Sequence, residues 1–233
     1  MELRIDSKKI MKVLIIAAVI LTVASLAGQI YRFYGGSEGY LVAFFDLDHE
    51  WNLPTFYVSF ILLFCSLLLA IICFAKKKNN DRFFYHWLFL AFIFFIIALD
   101  ETIVFHEKAI LPLRYLLNAR GIFYYTWVVP GGLFLVAFFL AYLKFLLHLS
   151  LKIRWLFIIS GGVYVLGALG FELLGGYYAD AFGIENFTYA LLTNVEEVLE
   201  ITGILIFIFT LMHVIVTEFK DLRIQIISSS AVH

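Results

Sequence analysis

The stretch that decides the fold lies at residues 83–103, where the chain has the sequence FFYHWLFLAFIFFIIALDETI. Residues 83–99 contain no Asp, Glu, Lys or Arg, and apolar side chains follow one another instead of alternating with polar ones. A helix needs roughly 20 such residues to cross a bilayer, whereas a barrel strand is about half as long and alternates in polarity. The stretch therefore predicts a membrane-spanning helix that ends at an acidic pair, Asp100 and Glu101.

Five further stretches repeat this composition. Each runs for at least about 17 residues without a charged side chain, which is the lower bound for a spanning helix. Of the 233 residues, 63% are hydrophobic and 15% charged, whereas soluble domains are roughly 45–50% apolar and about 25% charged. This composition excludes a soluble domain, a disordered chain, a coiled coil and a nucleic-acid-binding protein. We therefore predict one all-α domain over residues 1–233, a polytopic membrane protein with six transmembrane helices at about 13–31, 53–75, 83–103, 121–143, 155–175 and 196–217.

Lys and Arg are distributed unequally between the two sides of this bundle. Thirteen of the 17 fall on the side that carries the N-terminus, among them the consecutive lysines at 76–78. Loops rich in Lys and Arg stay on the cytoplasmic side of a membrane. We therefore predict that both termini are cytoplasmic, that the protein is a multi-pass component of the cytoplasmic (inner) membrane, and that the lipid bilayer surrounds it.

Asp and Glu show the opposite distribution. Thirteen of the 18 fall on or near the outer, periplasmic side, at the outer ends of helices two, three, five and six. Acidic residues contribute little to topology, so membrane insertion does not require this excess. Ionisable groups close to the apolar spans are costly and usually face the bundle interior with a partner. Because clustered carboxylates repel one another, the cluster needs either shared protons or a bound cation.

The residue types at this outer side are typical of a transition-metal site. Carboxylates with one or two imidazoles suit Zn, Mn or Fe, whereas haem is disfavoured because acids surround the outer histidines. Residues 100 and 107 share one helix face at a spacing of seven, and residues 197 and 200 are surface neighbours. We therefore predict a divalent-metal site at the outer leaflet. The predicted metal ligands are Asp100, His106, Glu107, Glu197 and Glu200, followed by Glu50, His49 and Glu172.

Local patterns account for some of the polar residues without a metal. Thr193 and Glu196 have the spacing of a capping box at the start of helix six. Glu101 and Lys108 share one helix face at a spacing of seven, which predicts an ion pair between them. Pro130, followed by two glycines, predicts a kink in helix four.

Three functions are compatible with this pattern. The first is a metal-dependent hydrolase or oxidoreductase for a lipid-linked or periplasmic substrate, with Glu197 and Glu200 as the catalytic pair: one ligates and the other is the general base. The second is a non-catalytic accessory or assembly subunit, whose cluster pairs with basic residues of a partner membrane protein. The third is an ion-coupled transporter, which predicts ionisable residues that continue to the middle of the membrane.

Four short strings carry a resemblance to a known group of proteins. They are LDHEWNLPT at 47–55, LDETIVFHEK at 99–108, ELLGGYY at 172–178 and EEVLE at 196–200. They resemble those of a group of bacterial six-span membrane proteins without an assigned function. The resemblance covers most of the chain and implies the six-span fold, but it implies no activity.

Overall fold

The protein is a bundle of membrane-spanning helices. A computed structural model describes residues 6–36 and 39–219, and these residues form helices and connecting turns without a strand. Six helical segments among the described residues are long and apolar enough to cross a bilayer. This finding confirms the predicted all-α, six-span, multi-pass fold. The six segments are α1 (Ser7–Tyr34), α3 (Leu53–Lys78), α4 (Phe84–Ile103), α6 (Val128–His148), the segment Leu151–Phe182 and α9 (Phe187–Glu218).

Shorter elements complete the chain. α2 (Tyr40–Phe45) precedes α3, and α5 (Phe105–Leu117) follows α4 after a single residue. The fifth span has three parts: α7 (Leu151–Val165), a π-helical segment (Leu166–Phe171) and α8 (Glu172–Phe182). π-Helical segments inside α-helices are rare and are frequently found at functional sites.

The centre of the bundle is formed by α3 and α9. Their most apolar stretches are 56% and 50% buried, against 22% or less for the other four spans. Side chains without accessible surface line their contact, including Ile61, Leu69, Ile72, Ile208 and Leu211. The four outer spans expose apolar side chains instead, which is the expected arrangement where lipid replaces water. The two central helices therefore fix the frame on which polar groups are held.

The sixth span begins at Phe187 rather than near residue 196, because the acidic residues lie inside this helix. Asn186 is the N-cap, and its side chain accepts a hydrogen bond of 3.0 Å from the backbone N–H of Tyr189. Thr193 is an interior residue whose hydroxyl donates to the carbonyl of Ala190 at 3.2 Å. The predicted capping box of Thr193 and Glu196 is therefore wrong.

The fourth span begins at Val128 rather than near residue 121. A short 3₁₀ turn (Gly121–Phe123) and an irregular turn occupy the preceding residues. Pro130 consequently lies in the first turn of α6, where backbone N–H groups have no partner within the helix. A proline is tolerated there, so it lies at the start of the helix and does not kink its interior.

The two ends of the bundle differ in charge. The basic end carries the last turn of α3 with Lys76, the first turn of α4 and the last turn of α6. Lys76 forms ion pairs there with Asp81 at 3.1 Å and with Glu218 at 2.8 Å. The acidic end carries the start of α3, the end of α4 and the first half of α9. This separation places most carboxyl groups of the spans at the acidic end.

Candidate functional site

Nine carboxyl groups and one histidine meet at the acidic end, close enough for their charges to interact. We call these ten residues the acidic cluster. They are Asp48 and Glu50 in the loop before α3, Asp100 and Glu101 in α4, His106 and Glu107 in α5, Glu172 in α8, and Glu196, Glu197 and Glu200 in α9.

A network of buried hydrogen bonds fastens the loop before α3 to the bundle. Gln29 of α1 donates to the Asp46 carboxylate at 2.5 Å. The backbone N–H of Leu47 donates to the Ser25 hydroxyl at 3.0 Å, and that hydroxyl donates to the Asn194 side chain at 2.9 Å. Each side-chain group is buried, so these bonds satisfy polar atoms that water does not reach. The network positions the loop that carries the first two cluster members.

A break between two helices at Val104 brings Asp100 and His106 together. α4 ends at Ile103, Val104 has a left-handed conformation with a φ of 60°, and α5 begins at Phe105. In a continuous helix, residues six apart point roughly 120° away from each other. The break at Val104 instead brings His106 Nδ1 to 2.5 Å from Asp100 Oδ2. A left-handed β-branched residue costs about 1–3 kcal/mol, and such strain clusters at functional sites.

The same helix break at Val104 separates two residues that were predicted to form an ion pair. Lys108 no longer shares a helix face with Glu101, and its ammonium group donates to the carbonyl of Ile103 at 2.6 Å. The predicted Glu101–Lys108 ion pair is therefore wrong. Glu101 instead lies among the carboxyl groups of Glu50 and Glu197, with which its charge interacts.

His106 carries the positive charge of the cluster. Burial works against that charge, but the hydrogen bond to Asp100 and the charges of Asp100, Glu107 and Glu172 raise the pKa of His106 to about 9. The imidazole is therefore protonated at neutral pH. One imidazolium cannot balance nine carboxyl groups.

The Lys and Arg ion pairs of residues 6–36 and 39–219 lie outside the cluster. Arg32 binds Glu185 at 2.9 Å, and Lys76 binds two acids at the basic end. Within the same residues, the ion pair that involves a cluster member is that of His106 with Asp100. The remaining carboxyl groups therefore need protons or an added cation.

The pKa values of the two loop carboxyl groups are raised. Burial, followed by the charge of Glu107, raises the pKa of Glu50 to about 7. Burial and the charge of Asp46 raise the pKa of Asp48 well above its usual range, although part of this residue is exposed to solvent. Glu50 Oε2 is buried and makes no hydrogen bond within the part of the chain that the structure describes. This oxygen is an unsatisfied acceptor that faces the cluster's acids.

Glu172 is held in place from two sides. The indole N–H of Trp127 donates to Glu172 Oε1 at 2.6 Å. A second hydrogen bond joins the side chains of Glu172 and Glu196. The two carboxyl groups repel each other when both are ionised. Glu196 therefore belongs to the site and has no capping role.

Two glycines let the fifth and sixth spans approach closely at the cluster. A Cβ atom on Gly167 would lie 2.8 Å from the carbonyl oxygen of Glu196 and 2.9 Å from Glu200 Cγ. Further along, a Cβ atom on Gly203 would lie 2.7 Å from the backbone nitrogen of Tyr164. This approach also allows the Tyr164 side chain to hydrogen-bond Glu200.

The structure brings seven of the eight predicted ligands into the cluster and leaves His49 at its rim. His49 is exposed, and its Nδ1 lies 2.9 Å from the carbonyl of Glu50. Glu107 is the exposed carboxylate on the side of α5. Three cluster members were not among the predicted ligands: Asp48, Glu101 and Glu196. Adjacency to Asp100 was a usable signal for Glu101, whereas nothing in the sequence shows that the loop returns to the bundle.

The acidic cluster is not arranged as a finished metal site. Among residues 6–36 and 39–219, no three His, Cys, Asp or Glu side chains stand in a geometry that could hold a metal ion. The chemistry of the groups nevertheless fits a cation. Histidine ligands of metals commonly hydrogen-bond a carboxylate through one ring nitrogen, which orients the other nitrogen. His106 has this arrangement with Asp100, and its Nε2 makes no hydrogen bond to a described residue.

We expect the metal-free protein to lose thermal stability as the pH rises from about 4.5 to about 9. Glu50 has an ordinary pKa of 4.5 and a folded pKa of about 7. His106 has an ordinary pKa of 6.5 and a folded pKa of about 9. Both groups bind protons more tightly when folded, so their contributions are complete at low pH and disappear as the pH passes through the folded pKa values. Thermal unfolding of chelator-treated protein in detergent measures this trend.

The Glu50→Gln variant serves as the control for this trend. Glutamine does not ionise, so the variant should show a smaller loss of stability between pH 4.5 and 7 and an unchanged loss above pH 8. A melting temperature that rises from pH 5 to pH 9 in the wild-type protein would contradict the assignment of protons to the cluster.

A family model described as Domain of unknown function (DUF8692) matches residues 13–215. The matched range begins within α1 and ends within α9, so it includes every member of the acidic cluster. No curated protein and no solved structure matches the chain. The expected membership of a family without an assigned function is confirmed, and an occurrence in bacteria stays a prediction.

Proposed function

The chain belongs to this family of unknown function, and we propose from its own side chains that the acidic cluster binds a divalent cation, Zn, Mn or Fe. The bound cation would serve a metal-dependent hydrolase or oxidoreductase that acts on a lipid-linked or periplasmic substrate. The observation that carries the proposal is the hydrogen-bonded Asp100–His106 pair among eight further carboxyl groups.

Charge balance supports a cation over a partner side chain. The cluster lies between helices, and its α9 carboxyl groups are largely enclosed, so a basic side chain from another protein would have to enter the bundle. A small divalent ion meets no such obstacle. Metal binding displaces protons from histidine and carboxyl groups, and the raised pKa values of His106 and Glu50 favour such protons in the metal-free protein.

The proposal gives the predicted residues different ligand roles according to their contacts. His106 would ligate through Nε2, with Asp100 as the group that orients it. Glu197 and the unsatisfied oxygen of Glu50 face the same acids and would ligate after side-chain rotation. Glu107 would ligate from the exposed side. Glu172 and His49 are engaged by other bonds and would remain outside the ligand set.

Glu200 is the residue best placed to act as general base. Tyr164 holds its side chain by a hydrogen bond, and Glu197 lies one helical turn away. A divalent ion supplies Lewis acidity when bound. Glu200 would accept a proton from a water molecule beside the ligands, while the apolar faces of the spans exclude bulk solvent. The proposal places this site on the periplasmic side, since the basic end favours the cytoplasm.

Replacement of His106 by alanine is expected to lower the affinity for Zn²⁺ and Mn²⁺ at least tenfold. Asp100→Asn should lower it by about 10- to 100-fold, because partners that orient a ligating histidine typically contribute that much. Isothermal titration of chelator-treated, full-length protein in detergent measures both values. His213→Ala is the matched control, since His213 lies in α9 below the cluster and stacks on Phe209. Equal affinities in all four proteins would refute the assignment.

A further inference from the structure

A second polar site lies at the basic end, between the first turn of α4 and the last turn of α6. It is an open groove of about 520 Å³. Its walls are formed by Arg82, Phe83, Lys144, Leu147 and His148. Pockets that bind small molecules have volumes of about 300–1,000 Å³, so the groove is large enough for a ligand headgroup.

The basic groups of the groove form no ion pairs with described acids, although the charge of His148 acts on Asp81. No ion pair of Arg82, Lys144 or His148 with another side chain occurs within residues 6–36 and 39–219. The neighbouring acid, Asp81, is occupied: it accepts from Lys76 at 3.1 Å and from the backbone N–H of Phe83 at 2.8 Å. The groove therefore presents hydrogen-bond donors and positive charge without a matching acceptor.

Ring contacts fix two of these groups against the floor of the groove. The guanidinium carbon of Arg82 lies 4.6 Å from the centre of the Phe83 ring. The His148 ring lies 4.8 Å from the same ring. Phe83 is buried and packs against Phe145, so it is a rigid platform. The donors are thus held in a restricted arrangement, which lowers the entropic cost of binding a ligand.

One wall of the groove is apolar and continues onto the surface that faces lipid. Leu147 is 58% exposed, and Leu143, one turn earlier on α6, is 41% exposed. A ligand with a charged head and an apolar chain would satisfy both parts of this surface. Basic pockets between transmembrane helices on the cytoplasmic side are known to bind anionic lipid headgroups.

We propose that the groove between α4 and α6 binds a phosphate group, with Arg82, Lys144 and His148 as donors. The apolar wall assigns this phosphate to the headgroup of an anionic phospholipid in the leaflet at the basic end. Arg82 offers a planar fork of donors that matches two phosphate oxygens, and Lys144 adds a point charge.

Native mass spectrometry of the full-length protein, titrated with phosphatidylglycerol or with phosphatidylcholine, tests the proposal. We expect one phosphatidylglycerol to bind more tightly than the others and more tightly than phosphatidylcholine. The Arg82→Ala/Lys144→Ala variant should bind it on the order of 30-fold more weakly, since each cation contributes a factor of about five. Both side chains are exposed, so the variant should fold normally.

Two control variants distinguish binding in the groove from a general attraction of anionic lipids to positive charge. Lys152→Ala removes an exposed cation at the same end that does not line the groove, and it should leave the affinity unchanged. Arg82→Lys/Lys144→Arg keeps the charges and should retain most of the binding. If millimolar inorganic phosphate displaces the lipid, the groove still binds phosphate, but its ligand is a soluble phosphate compound and not the lipid headgroup. An equal loss in the Lys152→Ala protein, or no loss in the double variant, would overturn the proposal.

Discussion

The Glu197→Gln/Glu200→Gln protein is expected to contain no stoichiometric Zn, Mn or Fe after purification, whereas the wild-type protein is expected to contain close to one ion. These residues lie one turn apart on α9, and each interacts with the charge of the other. Loss of an orienting partner alone costs 10- to 100-fold in metal affinity, so loss of two carboxylates at the site should cost more than about 100-fold. Elemental analysis of detergent-purified protein measures the content.

Glu185→Gln is the matched control for this experiment. Glu185 lies at the same end of the bundle, but its side chain is 75% exposed and binds Arg32 outside the cluster. This variant should keep the wild-type metal content. If wild-type protein contains no metal even after supplementation, the metal proposal fails, and the cluster is then a proton-sharing or partner-docking surface.

Replacement of Gly203 by alanine is expected to lower the free energy of unfolding by about 1–3 kcal/mol, as overpacking in a protein interior does. The new Cβ atom would lie 2.7 Å from the backbone nitrogen of Tyr164 and 2.9 Å from the carbonyl oxygen of Ser160. Backbone atoms cannot rotate away as a side chain can, so α7 and α9 must separate. Thermal unfolding in detergent measures the change.

Gly161→Ala provides the control within the same pair of helices. No atom lies within 4 Å of a Cβ at this position, so the substitution should cost nothing. A second variant, Gly167→Ala, should lower stability and also weaken metal binding, because its Cβ would contact the backbone of Glu196. Wild-type stability in the Gly203→Ala protein would show that the two helices are not in close contact.

The fold followed from the sequence because the physics of a bilayer is simple. A spanning helix needs a long apolar run, and runs without charge identified all six spans. The same criterion placed the start of the sixth span near residue 196, among the acidic residues, although the helix begins at Phe187. A capping signal at Asn186 marks the true start. A criterion that looks for uncharged runs therefore predicts helices that are too short where ionisable residues lie inside the bundle.

The site was predictable in its composition but not in its contacts. The excess of acids at one end identified most cluster members without any structural information. The partners of Asp100 and Glu101 depend on the left-handed conformation of Val104, and no residue type in that stretch indicates that the helix breaks there. The inclusion of Asp48 depends on a loop that returns to α1. Such long-range contacts have no periodic pattern in the sequence.

The hydrogen bond between Ser25 and Asn194 has a consequence for the biogenesis of the protein. It joins residues that are 169 positions apart, in α1 and α9. Ser25 also anchors the loop that carries Asp48 and Glu50, and α9 supplies three of the cluster's acids. The cluster therefore cannot be complete until α9 has left the ribosome. Chains truncated before α9 would lack three of the cluster's acids and the α9 partner of Ser25.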